Sequence, residues 1–139
     1  MMNNISTKFK LGMNLFLFAL VVLDVVLSSL CFFAPETWFQ LFHGADYVDP
    51  QGLLRRTGAL WVAFSLFQFI ALIKWTSQPY WLVVVAGIRL TEVFSDWTYI
   101  YFAENVTWYG KMGLFIAPPG NVVFAVILIK AYMCLQRED

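Results

Sequence analysis

An all-α fold is predicted: a bundle of four transmembrane helices, with a short interfacial helix between the first and second spans. Three observations carry it. Hydrophobic residues make up 60% of the 139 and charged residues only 13%, about half the charge of a soluble domain, and the mean hydropathy is +0.69. The apolar residues gather into four runs, near residues 11–34, 53–74, 81–103 and 118–136, each close to the roughly 20 residues that cross the hydrocarbon as a helix. These runs lack the polar face that each helix of a soluble four-helix domain keeps. Residues 1–139 are therefore expected to form a single membrane domain.

The first run follows Lys8 and Lys10 and ends at Pro35. It is too long for the apolar stretch of a signal peptide and is followed by no small-x-small cleavage site, so it is expected to stay in the protein. From Pro35 to Gly44 the sequence reads as a short interfacial helix: proline in its first turn, Glu36 at the positive end of its dipole and Gly44 as its stop. Trp38 and Phe42 are expected to anchor it among the lipid headgroups. Asp46, Asp49, Pro50 and Gly52 supply the turn chemistry of a solvated loop.

The second run, 53–74, leads through Trp75-Thr-Ser-Gln-Pro79-Tyr80, a tight hairpin whose aromatic residues suit an interface belt, into the third, 81–103. Those two spans are expected to pack antiparallel. A polar and aromatic connector, Glu104 to Gly113, precedes Pro118-Pro119-Gly120-Asn121, read as the start of the last span, 118–136, rather than as a break within a longer helix. Its 19 residues measure roughly 28 Å at 1.5 Å per residue. Lys8, Lys10, Lys74, Lys130 and Arg137 fall on one side of the membrane, against Arg55, Arg56 and Lys111 on the other. The excess places both termini in the cytoplasm. The terminal Glu138-Asp139 is read as a polar tail.

Ionisable residues inside apolar spans are costly, so they face a partner, a cavity or a ligand. The third run holds Arg89, Glu92 and Asp96, and the first holds Asp24. Measured from the cytoplasmic end of each span, Arg89 lies about 12 Å deep, Glu92 about 16 Å, Asp24 about 20 Å and Asp96 about 22 Å. Arg56, entering from the opposite side, is expected to reach Asp96, and Arg89 to pair with Glu92 three residues along the helix, with Gln68 at comparable depth. Asp24 then shares Arg56 or is neutral. The candidate network is thus Asp24, Arg56, Gln68, Arg89, Glu92 and Asp96.

Such a network has three readings: ionic pairs that set helix packing; the polar contacts of a small lipophilic ligand, walled by Trp61, Phe64, Phe67, Phe94 and Trp97; or a proton pathway, which in so short a chain calls for oligomerisation. Ala59-xxx-Ala63 and Gly87-xxx-Thr91-xxx-Ser95 form small-residue ladders that let helices approach closely, the second beside the acids, which are expected to point inward. The lone His43 excludes a bis-histidine haem and lacks the partners of a metal site. Cys31 and Cys134 fall near opposite faces, too far apart for a disulfide. Asn105-Val106-Thr107 matches a glycosylation acceptor, a pattern common by chance. The absence of a basic run gives nucleic acid nothing to bind, and no catalytic motif is present.

Leu41-Phe42-His43-Gly44 after the first span, Arg55-Arg56-Thr57-Gly58 opening the second, and Gly87-Ile88-Arg89 in the third together resemble the DoxX-like superfamily of small bacterial membrane proteins. The resemblance implies a four-helix bundle in a bacterial inner membrane and makes a quinone-type partner conceivable; it transfers no catalytic residue. The expectation is a non-catalytic accessory or assembly subunit of a larger, redox-linked membrane complex. It would carry no cofactor of its own and associate with lipids and with other membrane subunits or further copies of itself. The alternative is a binding or transport protein for a quinone-like or lipid-like ligand.

Overall fold

A computed structural model describes residues 6–137. The tail Glu138-Asp139 and the side chain of Arg137 lie outside the described residues. The chain forms five helices in the order α1 Thr7–Phe33, α2 Pro35–His43, α3 Leu53–Lys74, α4 Tyr80–Phe102 and α5 Trp108–Arg137, with no strand among the described residues. It is all-α.

Each boundary has a local cause. Pro35 has no N–H to give α1 and takes the first turn of α2, where none is required. Gly44 closes α2 at φ 60, a left-handed conformation that glycine adopts without a Cβ penalty. Asp49 starts α3: its Oδ1 accepts the Leu53 N–H at 2.8 Å and its Oδ2 the Leu54 N–H at 2.9 Å, a helix cap supplied from the loop. Desolvation acts to raise the pKa of this carboxyl, but the N–H donors of Leu54 and Leu53 outweigh it and hold the group below its ordinary 3.8.

α5 departs from expectation. It does not start at Pro118 but runs unbroken from Trp108, with Pro118 and Pro119 inside it. A proline removes one backbone donor and crowds the preceding turn, yet neighbouring helices support such a site in an apolar bundle. Pro118 is buried among them.

Contacts along the helices give their directions. Asn14 meets Trp75, Asp24 meets Gln68 and Cys31 lies against Gly58, so α1 and α3 run antiparallel along their whole length. Gly58 makes this approach possible, because a Cβ there would lie 2.9 Å from that of Cys31. α4 packs chiefly on α5, while α3 and α4, although joined by the hairpin, meet over less of their length. The molecule is thus two helix pairs, α1 with α3 and α4 with α5.

The apolar core is gathered at one end. Met13, Leu17 and Leu20 of α1, Ala71 and Trp75 at the end of α3, Leu82, Val85 and Ala86 at the start of α4, and Ala125, Leu128, Ala131 and Leu135 of α5 form one cluster. Trp75, expected in an interface belt, is fully buried in it. Its indole N–H donates to Asn14 Oδ1 at 2.8 Å, which removes the penalty of taking that group out of water.

By length and composition, α1, α3 and α5 are apolar enough to cross a membrane. α4 has the length, at 23 residues, but carries Arg89, Glu92 and Asp96. Composition alone therefore yields three spans rather than four.

Candidate functional site

On α1 the buried positions are Met13, Leu17, Leu20, Asp24, Ser28 and Cys31, a stripe with helical spacing that places Asp24 on the inward face. The same geometry puts Gln68 between Ser65 and Ala71 on α3, and Arg89 after Leu82, Val85 and Ala86 on α4. The three stripes converge just beyond the apolar core.

There Asp24 Oδ2 accepts a hydrogen bond from Gln68 Nε2 at 2.6 Å and a second, charge-assisted one from Arg89 Nη2. Asp24, Gln68 and Arg89 are at most 1% exposed. Arg89 also faces Glu92, its Nη1 standing 3.9 Å from Oε2. Glu92 Oε1 accepts the indole N–H of Trp61 at 3.2 Å, and Trp61 in turn lies against Trp38 of α2, ring centroids 5.5 Å apart. One polar chain thereby ties α1, α3 and α4 together and reaches α2 through its aromatic end.

Two expected pairings are corrected. Arg56 is exposed and reaches neither Asp96 nor Asp24; among the described residues the ion pairs are Arg89–Asp24 and Arg89–Glu92. Asp24 is not left over, since Arg89 and Gln68 both serve it. Arg89 and Asp24 differ in depth by about 8 Å of helix rise, whereas Glu92 is the partner nearest to Arg89 in sequence. A long guanidinium side chain spans such an offset, and the buried stripes of α1 and α4 were the signal that would have joined the two.

Trp38 and Phe42 are half-buried, their rings in tilted contact with centroids 4.4 Å apart, and Trp38 also lies against Trp61. The Ala59 ladder is also displaced: Ala59 is exposed, and Gly58, one residue earlier, makes the close contact. Gly87, Thr91 and Ser95 all face outward, on the opposite side of α4 from Arg89. The His43–Tyr99 hydrogen bond between α2 and α4 was not anticipated. Thr107, read as part of a glycosylation pattern, donates to Leu41 O and Phe42 O and accepts from Gly110 N–H, tying α2 to the start of α5.

Asp96 is half-buried, its Oδ2 enclosed. That atom, with Asp24 Oδ1, Gln68 Oε1 and Arg89 Nε, has no hydrogen-bond partner among the described residues. Among the described residues no cluster of His, Cys, Asp and Glu suits a metal ion. Two grooves, of about 510 Å³ and 490 Å³, lie apart from the Asp24 network, on the α4–α5 connector and on the outward side of α4. No family model matches this chain, no curated protein matches its sequence, and no solved structure matches it.

Proposed function

We propose that this protein is a non-catalytic accessory or assembly subunit of a larger membrane complex, and that the outward face of α4 receives a transmembrane helix of a partner subunit. The supporting observation is the relief of that face. A Cβ added at Gly87 meets nothing within 4 Å, and the hydroxyls of Thr91 and Ser95 donate to the carbonyls one turn earlier, at 3.0 Å and 3.3 Å. Their polarity is satisfied within the helix, which leaves a smooth small-residue stripe. Thr91, Ser95 and Thr98 line the 490 Å³ groove between the larger Phe94, Tyr99 and Phe102, a shape that admits a neighbouring helix at close range.

In this reading α4 is the fourth span. Arg89 is neutralised internally by Asp24, and the large side chains α4 turns outward, among them Val83, Val84, Leu90, Phe94 and Trp97, are apolar or aromatic. A bacterial inner membrane, cytoplasmic termini, a redox-linked complex and kinship with the DoxX-like superfamily belong to the proposal and rest on the basic-residue count and the motifs given above. Native electrophoresis of membranes solubilised in mild detergent tests it. Wild type is expected to migrate as a high-mass assembly, and Gly87→Leu and Ser95→Leu to migrate as free chain with unchanged thermal stability. Free wild-type chain, or variants that stay assembled, would refute the docking face.

The enclosed but unpartnered Asp96 Oδ2 favours a second reading, a quinone-like or lipid-like guest beside Glu92 and Asp96. On that reading wild type carries a lipid-sized mass in native mass spectrometry, which Asp96→Asn loses and Glu104→Gln keeps. Equal retention by the two variants removes it.

A further inference from the structure

We infer that the α4–α5 connector holds the headgroup of an anionic phospholipid, met by the Lys111 ammonium and the Asn105 amide in a groove whose other lining is apolar. The groove has a volume of about 510 Å³, and Lys111, Asn105, Ile100, Leu114 and Phe115 are among the residues that line it. Lys111 stands in the first turn of α5, and Leu114 and Phe115 lie one turn further in. One ammonium and one amide among otherwise apolar lining residues offer both a phosphate and its acyl chains a partner.

The level in the membrane agrees. α5 spans 30 residues, roughly 45 Å at 1.5 Å per residue against about 30 Å of hydrocarbon, so its first turn projects into the headgroup region. Tyr101, Phe102, Trp108 and Tyr109 around the connector are exposed, which is where an aromatic belt meets the lipid interface. Lys111 is exposed and forms no ion pair among the described residues, so its charge is open to a ligand. Glu104, next to Asn105 in the chain, does not line the groove. One exposed ammonium holds a free anion weakly in water. The apolar share of the lining is what makes a lipid, rather than inorganic phosphate, the fitting occupant.

Native mass spectrometry of the full chain, delipidated and offered equal phosphatidylglycerol and phosphatidylcholine, tests the site. A lysine facing an anionic surface corresponds to roughly fivefold in affinity, so wild type is expected to retain phosphatidylglycerol about fivefold over phosphatidylcholine. Lys111→Gln should lose that preference, Phe115→Ala should weaken both lipids, and Lys130→Gln, at the other end of α5, should behave as wild type. Millimolar inorganic phosphate should displace neither lipid. Equal retention of the two lipids by wild type, a preference that survives Lys111→Gln, or displacement by inorganic phosphate would overturn the assignment. Lys111 is exposed, so its substitution leaves the bundle folded, which a thermal melt checks in the same samples.

Discussion

The two ends of the bundle are held by different physics. Near the termini of α1 and α5, aliphatic side chains and Trp75 fill the space between all four long helices. Towards α2 the interior is polar: Asp24, Ser28, Ser65, Gln68 and Arg89 are buried, with Glu92 and Asp96 partly so. Apolar packing is tolerant of sliding, because one leucine replaces another at little cost. An ion pair is not, since a slipped arginine leaves two charges unpaired in a low-dielectric medium. The comparison suggests a division of labour, in which the apolar end supplies contact and the polar end selects how the α1–α3 pair meets the α4–α5 pair.

The largest expected effect tests that division directly. Asp24→Ala leaves Arg89 only the longer contact with Glu92 and should cost about 3–5 kcal/mol, read as a lowered melting temperature in detergent. The double variant Asp24→Leu with Arg89→Met should recover part of it, because the two most deeply buried charges are then removed together while Glu92 keeps the Trp61 indole N–H. A double variant as unstable as the single one would mean that the polar end contributes more than specificity.

Smaller effects separate close packing from open surface. Gly58→Ala drives a methyl against Cys31 and Phe32 and should cost about 1–3 kcal/mol. Gly87→Ala, with nothing within 4 Å, should be neutral or add up to about 1 kcal/mol through helix propensity. Parallel melts of the two variants decide whether α1 and α3 touch as closely as described.

Next comes pH. The Asp49 carboxyl is depressed in the folded state, so its contribution is present above its unfolded value and is lost as pH falls through the folded one. Melting temperature should therefore drop below about pH 4, and Asp49→Asn, which keeps a capping oxygen, should remove part of that dependence. An unchanged acid profile would separate the cap from the pH response.

Least of all should follow from Arg56→Gln. This exposed side chain makes no ion pair among the described residues, and a change within about 0.5 kcal/mol is expected. A loss comparable to that of Asp24→Ala would restore Arg56 to the interior network.

Much of the architecture was legible because it depends on local quantities. Pro35 and Gly44 mark the ends of α2, and the apolar runs mark the long helices within a few residues, since backbone sterics and hydropathy act over one or two turns. Pro118 misled because local sterics argue for a helix start, whereas the helix runs through it between packed neighbours. Gln68 and Arg89 could be named, but their common partner Asp24 is 44 and 65 residues away in the chain, and no local rule measures that separation.

What this sequence determined by itself was an all-helical chain, rich enough in apolar runs for a bilayer, with a few charged groups that such an interior forces into company. Which charges keep that company was decided only in three dimensions. Arg89 turned to Asp24 across the bundle as well as to Glu92 on its own helix, Arg56 stayed outside, and the small-residue stripe of α4 came to face outward. Each outcome depends on the rotation of one helix against another, a quantity set by the sum of contacts along both and written in neither segment alone.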